Sequence, residues 1–392
     1  MSVVSKLLYV TFMLTAALAG LEVLFRVFGY HHPQPGQTSS SVEAYFWVAD
    51  PTLGFSNRPD ARYTYWGIAG SPVTHTDHEG YRRTYSCASD PGISPRPAGV
   101  IVFVGDSTTM QTEVNDEETS ASQVAKMLCS QGINIRVVNA GVRGFNTLQA
   151  GRMMEKVIND NPDVRAVVYT YCDNDLFENL DPFLYAPAIA PVLSWDRDNQ
   201  TTRVREVGME LVPWGQSFES LTRPSHSVSI VRKAIVATHS TALYNISVIF
   251  FGWLSTHRAK TARAGTGAGQ PPGVDSSDGV ALEKWAAGNH GPEILEKQLA
   301  AMRVVSERRG VRFLATRFTT GGPGESDKES MIAQRARNAG VVFVPIASAF
   351  GLDSARYRAR SAYTRSFDRH YNQIGAYTLA VQVLASLKSA VH

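Results

Sequence analysis

Cysteine is scarce in this chain: Cys87, Cys129 and Cys172 are its three, widely spaced among 392 residues. The odd number and wide spacing exclude a disulfide framework and a C-x-x-C metal or redox motif, and leave room for one bridge at most. An excess of one charge is also missing. Lys plus Arg number 38 against 35 for Asp plus Glu, so no broad basic field is available and no nucleic-acid partner is expected. His75 and His78 lie close together, but without a third ligand at a fixed spacing they are read as residues of an exposed turn; no metal and no cofactor is expected. One run alone is long and apolar enough to matter for a membrane, and it stands at the amino terminus.

From Val3 to Leu21 only Lys6 interrupts the apolar character. Rising about 1.5 Å per residue, a helix of this length comes close to the thickness of the bilayer core, and Lys6 can snorkel at one end. Residues 1–29 therefore have two readings: a retained membrane anchor, or a signal peptide cut after Ala17-Leu18-Ala19. Either one exports the remainder of the chain. The apolar residues continuing through Leu21-Glu-Val-Leu-Phe25, with Arg26 as a second interfacial charge, favour the anchor.

Residues 30–98 are rich in Pro, Gly and aromatics, with Thr74–Tyr81 reading as a turn between short extended pieces; they form an irregular lead-in expected to pack on the main domain. After Pro97 short β-rich runs alternate with helical patterns, which predicts an α/β domain over 99–392, a parallel sheet covered by helices. Strands are expected at Val100–Val104, Ile133–Val138, Val164–Tyr171, Val311–Thr316 and Val341–Val344. Helices are expected at Ser120–Ser130, Leu148–Ile158, Pro292–Arg309, Ser330–Asn338 and Ala376–Lys388. The third and fourth strands are too far apart for one crossover, so residues 176–290 form a large insertion. Its middle, Ile230–Leu254, is helical in pattern and expected to pack on the core in preference to the membrane surface. The Gly-, Ala-, Pro- and Ser-rich stretch near 258–280 is expected to be a flexible loop.

Ser107 comes directly after the first strand, in Val100-Ile-Val-Phe-Val-Gly-Asp-Ser. Open α/β sheets bind their ligands at the carboxyl ends of the strands, so a hydroxyl placed there is a candidate nucleophile. In the flavodoxin-like order the first strand lies between the second and third, and three loops converge. The second loop is Asn139-Ala-Gly-Val-Arg-Gly-Phe-Asn-Thr147 and the third Cys172-Asp-Asn-Asp175. A nucleophilic serine needs a base and donors for the oxyanion. Gly144 is a candidate backbone donor and Asn174 a candidate side-chain donor, against their readings as a turn glycine and a helix cap. The base is His370, in Ser366-Phe-Asp-Arg-His-Tyr-Asn-Gln-Ile-Gly375, with Asp368 placed to accept from its Nδ1–H. Cys172 lacks a histidine of its own and is not read as the nucleophile; Asp106 and Asp175 are read as loop braces.

Together Gly105-Asp-Ser107, Asn139-Ala-Gly-Val-Arg-Gly144, Asn174-Asp175 and Asp368-Arg-His370 resemble, in order, the four blocks of the SGNH (GDSL-type) hydrolases. The resemblance spans Val100 to the carboxyl terminus, insertion excluded. It implies a three-layer α/β/α fold and hydrolysis of carboxylic esters, with Ser107 as nucleophile and His370 as base and acid. It also implies an oxyanion hole of the Ser107 and Gly144 N–H groups and the Asn174 side chain. The lead-in, with Asp50-Pro-Thr-Leu-Gly-Phe55 and Thr76-Asp-His-Glu-Gly-Tyr81, resembles that of exported, membrane-anchored bacterial members. Departures are Cys172 where the third block usually has glycine, no glycine shortly after Ser107, and one residue between Asp368 and His370 where many members have two.

The expectation is an exported serine esterase acting on an acylated, foremost acetylated, carbohydrate polymer or a small ester, with the aromatics Tyr45, Trp47, Trp66, Trp195 and Trp214 as sugar-stacking candidates unless core packing claims them. An O-acyltransferase with the same triad and a non-catalytic carbohydrate-binding or assembly scaffold are the alternatives. Oligomeric state is not legible in the chain.

Overall fold

The computed structural model describes residues 47–50, 52–64, 72–87, 94, 96–180, 193–196, 201–204, 290–319, 325–347, 349 and 370–391, and seven helical residues between 9 and 23. Those seven, which include Tyr9, Met13 and Val23, are exposed. The remainder of the expected membrane segment lies outside the described residues, among which no helix is long and apolar enough to cross a membrane.

The lead-in supplies two antiparallel hairpins: β1 (Trp47–Asp50) with β2 (Gly54–Asn57), and β3 (Arg62–Thr64) with β4 (Val73–His75). Asp50 closes the first turn by accepting from the N–H groups of Thr52 and Leu53, a local side-chain turn of the kind Asp favours. His75 lies on β4 and not in an exposed turn: its Nδ1 stands 2.6 Å from Asp116 Oδ2. His78 does occupy the exposed turn. No cluster suited to a metal ion occurs among the described residues.

The main domain runs β5 (Val100–Gly105), α1 (Ser107–Met110), α2 (Ser120–Cys129), β6 (Arg136–Asn139), α3 (Thr147–Asp160), β7 (Val164–Tyr171) and α4 (Asp175–Glu178). A hairpin comes next, β8 (Leu193–Asp196) with β9 (Thr201–Val204), an element of the insertion not expected from its sequence. Then come α5 (Gly291–Arg308), β10 (Arg312–Arg317), α6 (Glu325–Asn338), β11 (Val342–Val344) and α7 (Gln373–Val391). The expected helix at Ile230–Leu254 and loop near 258–280 lie outside the described residues.

Five strands form a parallel sheet in the order β11-β10-β7-β5-β6, the predicted flavodoxin-like winding. All six residues of β5 are buried, as a central strand covered on both faces requires. On one face α3 and α5 pack over Val102, Val104, Val167 and Tyr169; on the other α2 and α7 pack over Ile101, Phe103, Ala166 and Val168. The three layers are therefore present. Sequence periodicity accounts for α3, whose Ala150, Met153, Met154, Val157 and Ile158 face inward and whose start is a reciprocal Asn146–Gln149 capping box.

The second strand begins at Arg136, not at Ile133. Gly132 takes a positive φ of 75° and Ile133 N–H returns to Leu128 C=O, closing α2. Asn134 is then committed to the lead-in, accepting from Ala98 N–H and donating to Ser94 C=O.

The lead-in is part of the core. Trp47, Leu53, Phe55 and Tyr81 are buried in the same cluster as β5 and α3. Arg82 pairs with Asn139 along the open edge of β6, which blunts that edge. A disulfide joins Cys87 of the lead-in to Cys129 at the end of α2, 42 residues on; Cys172 is the free thiol. Closing a loop of this length stabilises by about 2–4 kcal/mol. Thiol titration of the denatured chain is expected to find one reactive group without reductant and three with it. Cys87→Ser/Cys129→Ser is expected to melt earlier, in keeping with that range.

Candidate active site

The strand order brings the ends of β6, β5 and β7 side by side, and Ser107 stands at the middle one. Gly105 leads into it with φ 151°, and a Cβ there would lie 2.3 Å from Thr109 Oγ1 and 2.8 Å from Thr170 C=O; no side chain fits. Asp106 caps α1, its Oδ1 accepting from Thr108 N–H at 2.8 Å and Thr108 Oγ1 at 2.7 Å. The helix ends after Met110 because Gln111 enters the left-handed region, φ 54° and ψ 50°. This is the conformation a glycine would adopt without strain. The buried Gln111 side chain holds it, donating to Ser120 Oγ at 2.9 Å and accepting from Ser120 N–H at 2.7 Å. The missing glycine after Ser107 is thus replaced by a side-chain clamp.

His370 reaches Ser107: its Nε2 lies 2.9 Å from the Oγ. The neighbours of the imidazole explain how. Tyr371 is buried and its hydroxyl accepts from Thr319 N–H at 3.2 Å, while Asn372 caps α7 by accepting from Ile374 and Gly375. The residues on the carboxyl side of His370 are therefore anchored to the segment that follows β10 and to α7, and Phe318 stands beside the ring. Asp368, the expected Nδ1 acceptor, lies outside the described residues.

Gly144 takes a positive φ of 79° at the end of the second loop, backed by Phe55 and Trp47 of the lead-in. Trp47 is buried edge-on against Phe55, so it packs this loop and is not a sugar-stacking platform. Tyr45, Trp66 and Trp214 lie outside the described residues. The loop itself is drawn against α1: Val142 N–H donates to Gly105 C=O, Asn139 Nδ2 donates to Thr109 C=O, and a Cβ on Gly141 would strike Met110 N at 2.6 Å. Asn174 Nδ2 donates to Asp106 Oδ2 at 3.4 Å, which places its amide beside the residue preceding Ser107. An amide carries a second N–H donor besides the one used here.

Charge is arranged tightly around this point. Burial pushes the Asp106 carboxyl up against the hydrogen bonds from Thr108. Burial, then Asp106 and Glu178, push Asp175 up well above the carboxylate range, although it accepts from Cys172 N–H and Tyr169. Both act as braces, as expected. Burial and the neighbouring Asp106, Asp173 and Asp175 push the Cys172 thiol well up, so it is a poor thiolate source. Asp173 is different: burial raises its carboxyl, but Arg317 and Lys328 outweigh this and hold it low.

Three contributors lie outside the motif blocks, and a fourth, Arg143, lies inside one with no role assigned to it by the sequence. The fully buried Arg82 donates to the carbonyls of Met110, Gln111 and Val114 and pairs with Asp116 at 3.3 Å. Asn57 donates to Gly141 C=O at 2.9 Å. Both belong to the lead-in and clamp the two loops that flank Ser107. Glu113 and Arg143 form a 2.9 Å ion pair close to His370. Nothing in the sequence singles out the first three: Arg82 adjoins Arg83, Asn57 adjoins Arg58, and Glu113 stands just ahead of Asp116, Glu117 and Glu118.

No family model and no curated protein matches the chain. Among solved structures, TesA aligns at 12% identity and TM-score 0.38, covering 74% of this chain and 99% of its own. The psychrotrophic esterase EstA from Pseudoalteromonas sp. aligns at 10% and 0.34, covering 74% and 97%. AlinE4, a SGNH-hydrolase family esterase, aligns at 13% and 0.34, covering 76% and 100%. These likenesses are slight, and the functional reading rests on the atoms around Ser107.

Two outcomes are expected. Asn174→Ala lowers kcat about 10²–10³-fold with a smaller change in KM, as steady-state kinetics on a chromogenic ester will read. Asp173→Asn lowers stability by about 2 kcal/mol near neutral pH, a value discounted for the partial exposure of Asp173. Because the folded carboxyl is held low, its contribution is present above the ordinary carboxylate range and lost as pH falls through the lowered value. Urea melts of the two proteins therefore converge in acid.

Proposed function

We propose that this chain is a serine esterase of the SGNH (GDSL-type) hydrolases, exported and held at a membrane by its amino-terminal segment, acting on acetyl-type esters of a carbohydrate polymer. The observation that carries the enzymatic reading is the 2.9 Å contact between His370 Nε2 and Ser107 Oγ, made at the strand ends where the Gly144 and Asn174 loops meet. The resemblance in four motif blocks supports the family. Export is supported by the apolar run at the amino terminus and by the Cys87–Cys129 bridge, since such bonds persist in oxidising compartments. The polymer and the acetyl group are carried by the resemblance alone.

In the reaction, Ser107 Oγ attacks the ester carbonyl while its proton passes to His370 Nε2. The oxyanion is held by the N–H groups of Ser107 and Gly144 and the Asn174 amide. Collapse breaks the bond to the alkoxy oxygen, which leaves as the alcohol with the proton from His370. Water, deprotonated by the same imidazole, then attacks the acyl-Ser107 ester and frees the acid and the serine.

A fluorophosphonate probe is expected to label Ser107, and mapping of the modified peptide reads the site. Ser107→Ala should abolish both labelling and hydrolysis of a chromogenic acetyl ester, and His370→Ala should remove nearly all turnover; a hydrolysis rate unchanged in Ser107→Ala sinks the assignment. Activity should rise with pH through an acid limb near neutrality, where an imidazole becomes a base.

A further inference from the structure

Glu113 is an acidic residue with no exposed surface. The loop after α1 places its Oε1 2.9 Å from Arg143 Nη1, 2.9 Å from Thr112 Oγ1, which donates to it, and 3.7 Å from His370 Nδ1. The last separation is too long for a hydrogen bond. It is short enough for a strong interaction between charges in a site of low effective dielectric. Arg143 precedes Gly144 directly, so a single carboxylate faces both the base and the loop that supplies an oxyanion donor.

We propose that Glu113 is a positioning residue for the esterase centre: its fixed negative charge stabilises the imidazolium formed when His370 accepts the Ser107 proton, and Arg143 fixes that charge in place. The inference rests on the Ser107–His370 reading above. Glu113 takes no proton in the step; the proton moves from Ser107 Oγ to His370 Nε2 and onward to the leaving alcohol. This role differs from the one the family resemblance gives Asp368, which is to accept a hydrogen bond from Nδ1.

The surrounding charges are consistent with it. Arg143 contacts Glu113 directly and the buried Arg82 interacts with it electrostatically, together supplying the counter-charge that a buried carboxylate requires. Asp106 acts on the imidazole from the nucleophile side, and Asp116 is engaged by Arg82 and His75. The Thr112 hydroxyl bridges the ion pair, accepting from Arg143 Nη1 at 2.6 Å while donating to Glu113. Glu113 is thus the carboxylate that faces the Nδ1 side of the ring from the α1 loop.

The test is the pH dependence of fluorophosphonate labelling at Ser107 in the full chain, in wild type, Glu113→Gln and Glu113→Gln/Arg143→Gln. A negative charge beside the ring favours the protonated imidazole, so its removal should move the acid limb of labelling to lower pH, by about half a unit or more, and lower the plateau rate about tenfold. The double variant removes both charges and serves where the single one leaves Arg143 uncompensated and unfolds the protein; its limb should move the same way, by less. An acid limb that stays in place in a variant with the wild-type circular dichroism and melting curve overturns the proposal, whereas a general loss of rate at every pH with no movement marks a merely structural role and overturns it too. Failure of wild type to label at Ser107 would instead remove the active-site reading on which the proposal stands.

Discussion

The central place of β5 in the sheet is the constraint on which the site depends. Pairing with β6 on one side and β7 on the other puts three loop origins next to one another at about the spacing of adjacent strands. Ser107, Gly144 and Asn174 are then carried to neighbouring strand ends without any long excursion of the chain. The fourth contributor, His370, comes from far along the sequence, and it needs a separate anchor: Tyr371 tied to Thr319 and Asn372 at the cap of α7. Geometry around Ser107 is thus a product of sheet order plus one docking event.

The sheet itself was legible because β5, β7 and β10 are apolar runs bounded by turn residues, and their buried faces match those runs. The helices were legible from the 3.6-residue spacing and from end signals such as Gly132, Gly310 and Gly340, all of which take positive φ. The start of β6 was not. Ile133 and Ile135 have strand character, yet Ile133 and Asn134 are consumed by the end of α2 and by the lead-in. A sequence reading sees β propensity there and cannot see the competing partners. The two four-residue helices α1 and α4 were also invisible, being too short to show a period.

Short blocks were the legible part: Ser107 and His370, which the motifs pair, stand 2.9 Å apart, and Asn174 reaches Asp106 next to Ser107. What escaped was the supporting network, because its members come from separate segments and share no spacing. Gln111 illustrates the point. A glutamine in place of glycine reads as a departure, but its amide bonds the hydroxyl and the N–H of Ser120 and so sustains the same backbone conformation by another means. Glu113 and Arg143 likewise acquire meaning only when the α1 loop and the second loop are laid against each other.

The described residues of the lead-in belong to the same folding unit as the sheet. Motif blocks start at β5, and a boundary drawn there encloses Ser107, Gly144, Asn174 and His370. Yet Phe55 and Trp47 form the floor beneath Gly144, Asn57 grips Gly141, and the Arg82 guanidinium fills the space beside the carbonyls that close α1. A fragment opening at Val100 would carry Ser107 and His370 and still leave the α1 loop with unpaired carbonyls, a naked edge on β6 and a hollow under the Gly144 loop. The minimal unit that the motif blocks define is shorter than the one that packing defines, so a substitution at Phe55, Asn57 or Arg82 reaches the loops beside Ser107 through direct contact.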